Sequence, residues 1–208
     1  MTKKNHTLFI AQFGLLLAIE GIFCFTPLGS LPALGPIVAT LAMLPVIITA
    51  QLLGTKAGSA MGAFAGLFSF IVWTFMPPNP AVAFVFTPFY RLGEFSGNFG
   101  SLLICFVPRI LVGTVAGGFY QLLKRRLPER NGLSLSVSAA LGSLTNTFLV
   151  LGGIWLFFGQ QYASVLGGVL LKIIGFVILT NGVPEAVVSA IVAPVVCKPL
   201  QVALSRRG

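Results

Sequence analysis

The chain has 208 residues; charged residues make up 8% of them and hydrophobic residues 56%. A soluble domain of this length carries charge on about a quarter of its residues, so the composition excludes an ordinary soluble enzyme. A formal net charge of +9 would mark a phosphate binder in a soluble protein. With 19 Phe, 24 Gly and a mean hydropathy of +0.98, the main solvent here is lipid, and the charge becomes a question of sidedness.

A bilayer core takes about 20 apolar residues per helix. Runs of that kind predict spans at Leu8–Phe25, Ile37–Leu53, Ala57–Met76, Leu102–Leu123 and Leu133–Phe158, followed by an apolar tail from Ala163 to Leu204. The first run follows Lys3 and Lys4 like a signal peptide. It is too long for an h-region and carries Glu20 near its end, so it reads as a retained helix. In the tail, Asn181-Gly182-Val183-Pro184 marks the entrance to a last helix, Val183–Leu204, with Pro184 tolerated in its first turn. Whether Ala163–Thr180 enters the membrane or lies on its outer face stays open from sequence.

Charge placement sets the topology. With a cytoplasmic N-terminus and six crossings, ten of the thirteen cations lie inside: Lys3, Lys4, Lys56, Lys124, Arg125, Arg126, Arg130, Lys198, Arg206 and Arg207. A seventh crossing would carry Lys198, Arg206 and Arg207 outside, against the positive-inside tendency. The expected fold is an all-α membrane protein, one six-transmembrane-helix domain over residues 1–208 with both termini cytoplasmic. Its long loops, Thr26–Pro36, Pro77–Gly100 and Gln160–Asn181, are all on the outer face, as suits a protein that captures something from outside.

Small residues repeat at helical spacing in three places. Gly58, Gly62 and Gly66, and Gly113 with Gly117, read as close internal helix packing. In the first helix Ala11, Gly14 and Ala18 form a small-residue face that suits either internal packing or another protein's helix.

Polar groups within apolar spans are costly, and that singles out Glu20, Arg109, Asn146, Lys172, Asn181 and Glu185, with Arg91 in the outer loop. One reading pairs them internally, Glu20 with Arg109 and Glu185 with Lys172, with Asn146 as a clamp between helices. The other is an outward-opening ligand pocket floored by Asn146 and walled by aromatics such as Trp73, Phe84, Phe86, Tyr90 and Trp155, suited to a small carboxylate ligand. Trp155 and Tyr162 also fit an interfacial aromatic belt.

Cys24, Cys105 and Cys197 are too far apart in sequence for a metal motif, and His6 is the only histidine. No phosphate-binding G-x-x-x-x-G-K-[ST] loop is present. No cofactor, metal or catalytic residue is expected, and any energy must come from a partner.

Several segments in order resemble those of one family. They are Leu53-Gly54-Thr55-Lys56-Ala57-Gly58, Phe75-Met76-Pro77-Pro78-Asn79-Pro80 with Phe84-Val85-Phe86-Thr87-Pro88, Leu144-Thr145-Asn146-Thr147, and Asn181-Gly182-Val183-Pro184-Glu185-Ala186. With them the chain resembles the S-components, the substrate-capturing membrane subunits of energy-coupling factor (ECF) vitamin transporters. The resemblance implies a vitamin bound near the outer face under the first, third and fifth loops. It also implies an Ala-xxx-Ala face on the first helix, here Gly14 and Ala18, docking on a transmembrane coupling subunit driven by two ATPases. The Thr-Asn-Thr and Pro-Glu-Ala segments look closest to the pantothenate type, with cobalamin, folate and niacin types as neighbours. On that reading Arg109 or Arg91 meets the carboxylate and Asn146 a hydroxyl or amide. A membrane scaffold or a solute channel remain as other classes.

Overall fold

The computed structural model describes residues 3–29 and 41–205, with side chains described from 6 to 204 apart from that gap. Its helices are α1 (Lys3–Phe25), α2 (Met43–Leu53), α3 (Thr55–Phe75), α4 (Phe99–Arg126), α5 (Asn131–Leu166), α6 (Leu170–Val177) and α7 (Val183–Ser205). A π-helical segment, Ile178–Gly182, joins α6 to α7. Among the described residues, five helical stretches are long and apolar enough to cross a membrane: His6–Phe25, Thr55–Phe75, Phe99–Arg126, Pro128–Leu166 and Leu170–Leu204. α2 is an apolar helix of 11 residues. The expected start of its span at Ile37, most of the loop Thr26–Pro36, and Arg206 and Arg207 lie outside the described residues.

The glycine repeats hold the centre of the bundle together. A Cβ on Gly62 would strike the Arg109 carbonyl, one on Gly113 the Gly58 backbone, and one on Gly117 Thr55, so α3 and α4 meet backbone to backbone. Gly58 also faces Ala50 of α2. Between α2 and α3 the chain turns at Gly54, whose φ of 98° disfavours any side chain.

After α3, Asn79 caps a 3-10 turn, Pro80–Val85, by accepting from the Ala81 N–H at 3.0 Å. Val82 to Thr87 are all buried, so this loop enters the bundle end instead of lying over it. The Ser101 hydroxyl holds it by donating to the Phe84 carbonyl at 2.8 Å. A short hairpin follows, β1 (Arg91–Leu92) with β2 (Phe95–Ser96), and Asn98 then opens α4 with a capping box.

The region expected as a long outer loop, Gln160–Asn181, is mostly helical. α5 runs eight residues beyond the expected Phe158 and stops at Gly167, whose φ of 65° ends the helix while the Gly167 and Gly168 N–H groups bond back to Ser164 and Ala163. Residues 163–180 thus divide between the end of α5 and a helical run that leads through the π segment into α7. Tyr162, expected at an interface, is fully buried among Phe84, Phe158 and Val177, because the longer α5 carries it back into the bundle.

Candidate functional site

α1, α3, α4, α5 and α7, with the start of α2, converge on one cavity near the bundle end that holds the 77–98 connection. It is partly enclosed, about 130 Å³ in volume, and its polar wall includes Ser69, Arg109, Asn146, Thr147, Asn181 and Glu185, with Cys24 beside them. Trp73, Phe86, Val150 and Leu151 supply much of its apolar wall.

Arg109 is aimed by the backbone of its own helix. Pro108 has no N–H to give the Ile104 carbonyl its usual helical partner, and Arg109 Nη1 takes that oxygen at 2.7 Å. The guanidinium carbon lies 5.8 Å from the centroid of Phe86, within cation–π range. Phe86 in turn stacks on Trp73 at 4.4 Å and 23°. The cation is therefore backed by an aromatic pair, and its buried Nε has no hydrogen-bond partner among the described residues.

Asn146 enters the cavity from the middle of α5, and its buried Oδ1 likewise lacks a partner. The π segment brings in Asn181: one extra residue in the turn widens the helix there, and Gly182 beside it packs on Thr147, where a Cβ would meet Thr147 Cγ2 at 2.7 Å. Glu20 stands behind the wall, fully buried, its Oε1 accepting from the Cys24 thiol at 3.3 Å and its Oε2 without a hydrogen-bond partner among the described residues.

Six of the nine expected binding residues meet here: Trp73, Phe86, Arg109, Asn146, Asn181 and Glu185. Three do not. Arg91 is exposed on the hairpin, Lys172 is exposed on α6, and Trp155 is 60% exposed on an outward face of α5. Arg91 and Lys172 fall away because the segments carrying them fold as a hairpin and a helix on the surface, and Trp155 because it lies off the buried α5 face of Leu151, Ile154, Phe158 and Tyr162. Cys24, Met43, Ser69 and Thr147 line the cavity without having been singled out. For Thr147 the signal was its place beside Asn146; Cys24 lies one helical turn after Glu20.

Ala11, Gly14 and Ala18 are all exposed, and a Cβ on Gly14 would meet nothing within 4 Å. α1 lies against α3 through Phe13–Phe64 and Phe25–Phe68 contacts, and no other described residue covers its small-residue face.

Long apolar helices around a polar-floored cavity define a multi-pass cell-membrane protein of the solute-handling class. A family model described as ECF transporter, substrate-specific component, matches residues 8–197. The chain is also 31% identical, over 200 residues, to the pantothenic acid transporter PanT of Lactococcus lactis subsp. cremoris (strain MG1363), an alignment covering 96% of this chain and 95% of that protein. The chain belongs to the family of substrate-specific components of ECF transporters and is a transport subunit, not an enzyme.

Proposed function

We propose that this protein is the pantothenate-binding S-component of an ECF importer. The observation that carries the reading is the meeting, in one cavity, of a buried arginine with an unused N–H and a buried asparagine with an unused carbonyl oxygen, beside a stacked Trp73–Phe86 pair. Pantothenate offers a carboxylate, an amide and two hydroxyls. The carboxylate meets Arg109 as a charge-assisted pair, Asn146 and Asn181 take up amide and hydroxyl groups, and Glu185 accepts from a hydroxyl. The aromatic pair covers the apolar part of the ligand. The name of the aligned relative supports the same ligand, and the modest cavity favours a small vitamin over cobalamin.

The protein crosses the membrane six times, α2 belonging to the second span, and both termini are cytoplasmic. The cavity then opens outward. The exposed face of Ala11, Gly14 and Ala18, flanked by exposed Leu15 and Ile22, docks on a transmembrane coupling subunit served by two ATPases. Small residues there let a partner helix approach closely without a hydrophobic drive.

Equilibrium binding of radiolabelled vitamins to the purified protein tests the ligand assignment. Saturable binding of pantothenate, and not of folate, cobalamin, niacin, thiamine, riboflavin or biotin, is expected. Absence of binding to every vitamin in the panel would overturn it.

A further inference from the structure

The end of the bundle opposite the cavity gathers cations from three helices and the turn that leads into a fourth. Lys56 lies in the first turn of α3, Lys124, Arg125 and Arg126 close α4, Arg130 immediately precedes α5, and Lys198 stands near the end of α7. All six are exposed. Of the four acids in the sequence, Glu129 alone belongs to this end.

Two of these cations flank a closed polar ring. The Tyr120 hydroxyl donates to Asn131 Oδ1 at 3.0 Å, Asn131 Nδ2 donates to Gln201 Oε1 at 2.8 Å, and Gln201 Nε2 donates back to the Tyr120 oxygen at 2.8 Å. This ring ties α4, α5 and α7 together. The Lys124 ammonium lies 5.5 Å from the centroid of the Tyr120 ring. The Lys198 side chain lies over Gly132, where a Cβ would strike its Nζ and Cε. Both ammonium groups are therefore seated on a base that the ring makes rigid.

Depth identifies what they meet. Leu122, Leu133, Leu200 and Val202, within a turn or two of these cations on the same helices, are all exposed large hydrophobics. Apolar side chains facing outward so close to the charges put the ammonium groups at the boundary between hydrocarbon and headgroups, where basic residues between helix ends recognise anionic lipids.

We propose that this end is a binding site for an anionic phospholipid, with the headgroup phosphate between Lys124 and Lys198, Arg130 on the same rim, and the acyl chains along Leu133 and Leu200. The site is separate from the vitamin cavity and does not depend on the ligand assigned there.

The test uses the full chain in neutral detergent with equal amounts of phosphatidylcholine and phosphatidylglycerol, the retained lipid being counted by native mass spectrometry. Phosphatidylglycerol is expected to be retained preferentially. Lys124→Gln with Lys198→Gln should lower that retention by about fivefold for each cation removed, the scale of one basic residue near an anionic surface, and Lys124→Arg with Lys198→Arg should preserve it. Arg91→Gln, at the other end, should leave it unchanged. Equal phosphatidylglycerol retention by the native protein and the paired Gln variant overturns the proposal, as does an equal loss in Arg91→Gln, which would make the effect one of net charge. Displacement of the lipid by millimolar inorganic phosphate also overturns it, assigning the two ammonium groups to a soluble anion. If the paired Gln variant is not monodisperse, Lys198→Gln alone gives the same decision at a single fivefold step.

Discussion

The two ends of the bundle use similar polar side chains in opposite ways. At the basic end, Gln51 Nε2 donates to the Leu135 carbonyl and to the Ser138 hydroxyl, both at 2.9 Å, while its Oε1 accepts from the Cys197 thiol at 3.3 Å. Beyond it lies the closed ring of Tyr120, Asn131 and Gln201. At the cavity end, Arg109 Nε, Asn146 Oδ1 and Glu20 Oε2 are buried without hydrogen-bond partners among the described residues. A buried polar atom left unpaired costs about 1–3 kcal/mol. Among the described residues these polar groups are mutually satisfied at one end and left partly unpaired at the other, which is the contrast the proposed binding site rests on.

Breaking that contrast at Arg109 has the largest expected effect. Arg109→Ala should weaken pantothenate binding by about a hundredfold, within the range for truncating one partner of a buried charge pair. Equilibrium binding to the purified variant measures it, and an unchanged affinity would remove Arg109 from the site. Next comes the completed end. Gln51→Ala should lower unfolding stability by about 2 kcal/mol, since its partners lose their hydrogen bonds in a buried place, and leave pantothenate affinity as it was. Unfolding in detergent and binding to the same preparation check the two halves of that statement; a parallel loss of affinity would show that the two ends are not independent. Asn146→Ala should reduce affinity about tenfold, the value of a buried neutral hydrogen bond with its desolvation cost, with little change in stability. Trp155→Leu should change affinity least, because Trp155 faces outward from α5; a clear loss in a titration would return it to the binding surface.

The helical, membrane-spanning character was legible because hydropathy depends on composition over long windows, which tertiary contacts cannot reverse. The glycine spacing on α3 and α4 was legible for a similar reason: a four-residue repeat puts small residues on one helix face whatever the partner. The 163–180 segment was not. Its ambiguity turned on one positive-φ glycine, Gly167, and on a π turn at Ile178–Gly182, and neither leaves a periodic mark in the sequence. In the candidate site, Arg109 and Asn146 stood out because polar groups in apolar helices are expensive. Arg91 and Lys172 stood out by the same charge criterion, which does not say whether the chain turns a residue inward. Pro108 was readable in the sequence as an imino acid inside a helix, yet its effect on the neighbouring arginine emerges only when the Ile104 carbonyl and the guanidinium are seen together.

That proline has a thermodynamic consequence. A long side chain gives up as much as about 2 kcal/mol of rotamer freedom when it is fixed in place. One arm of Arg109 is already tethered to the carbonyl that Pro108 leaves vacant, so much of that freedom is lost when the helix folds, before any solute arrives. A missing backbone hydrogen thereby holds an otherwise flexible cation in one pose, and in the role proposed for Arg109 less of the binding free energy would be spent on ordering the protein.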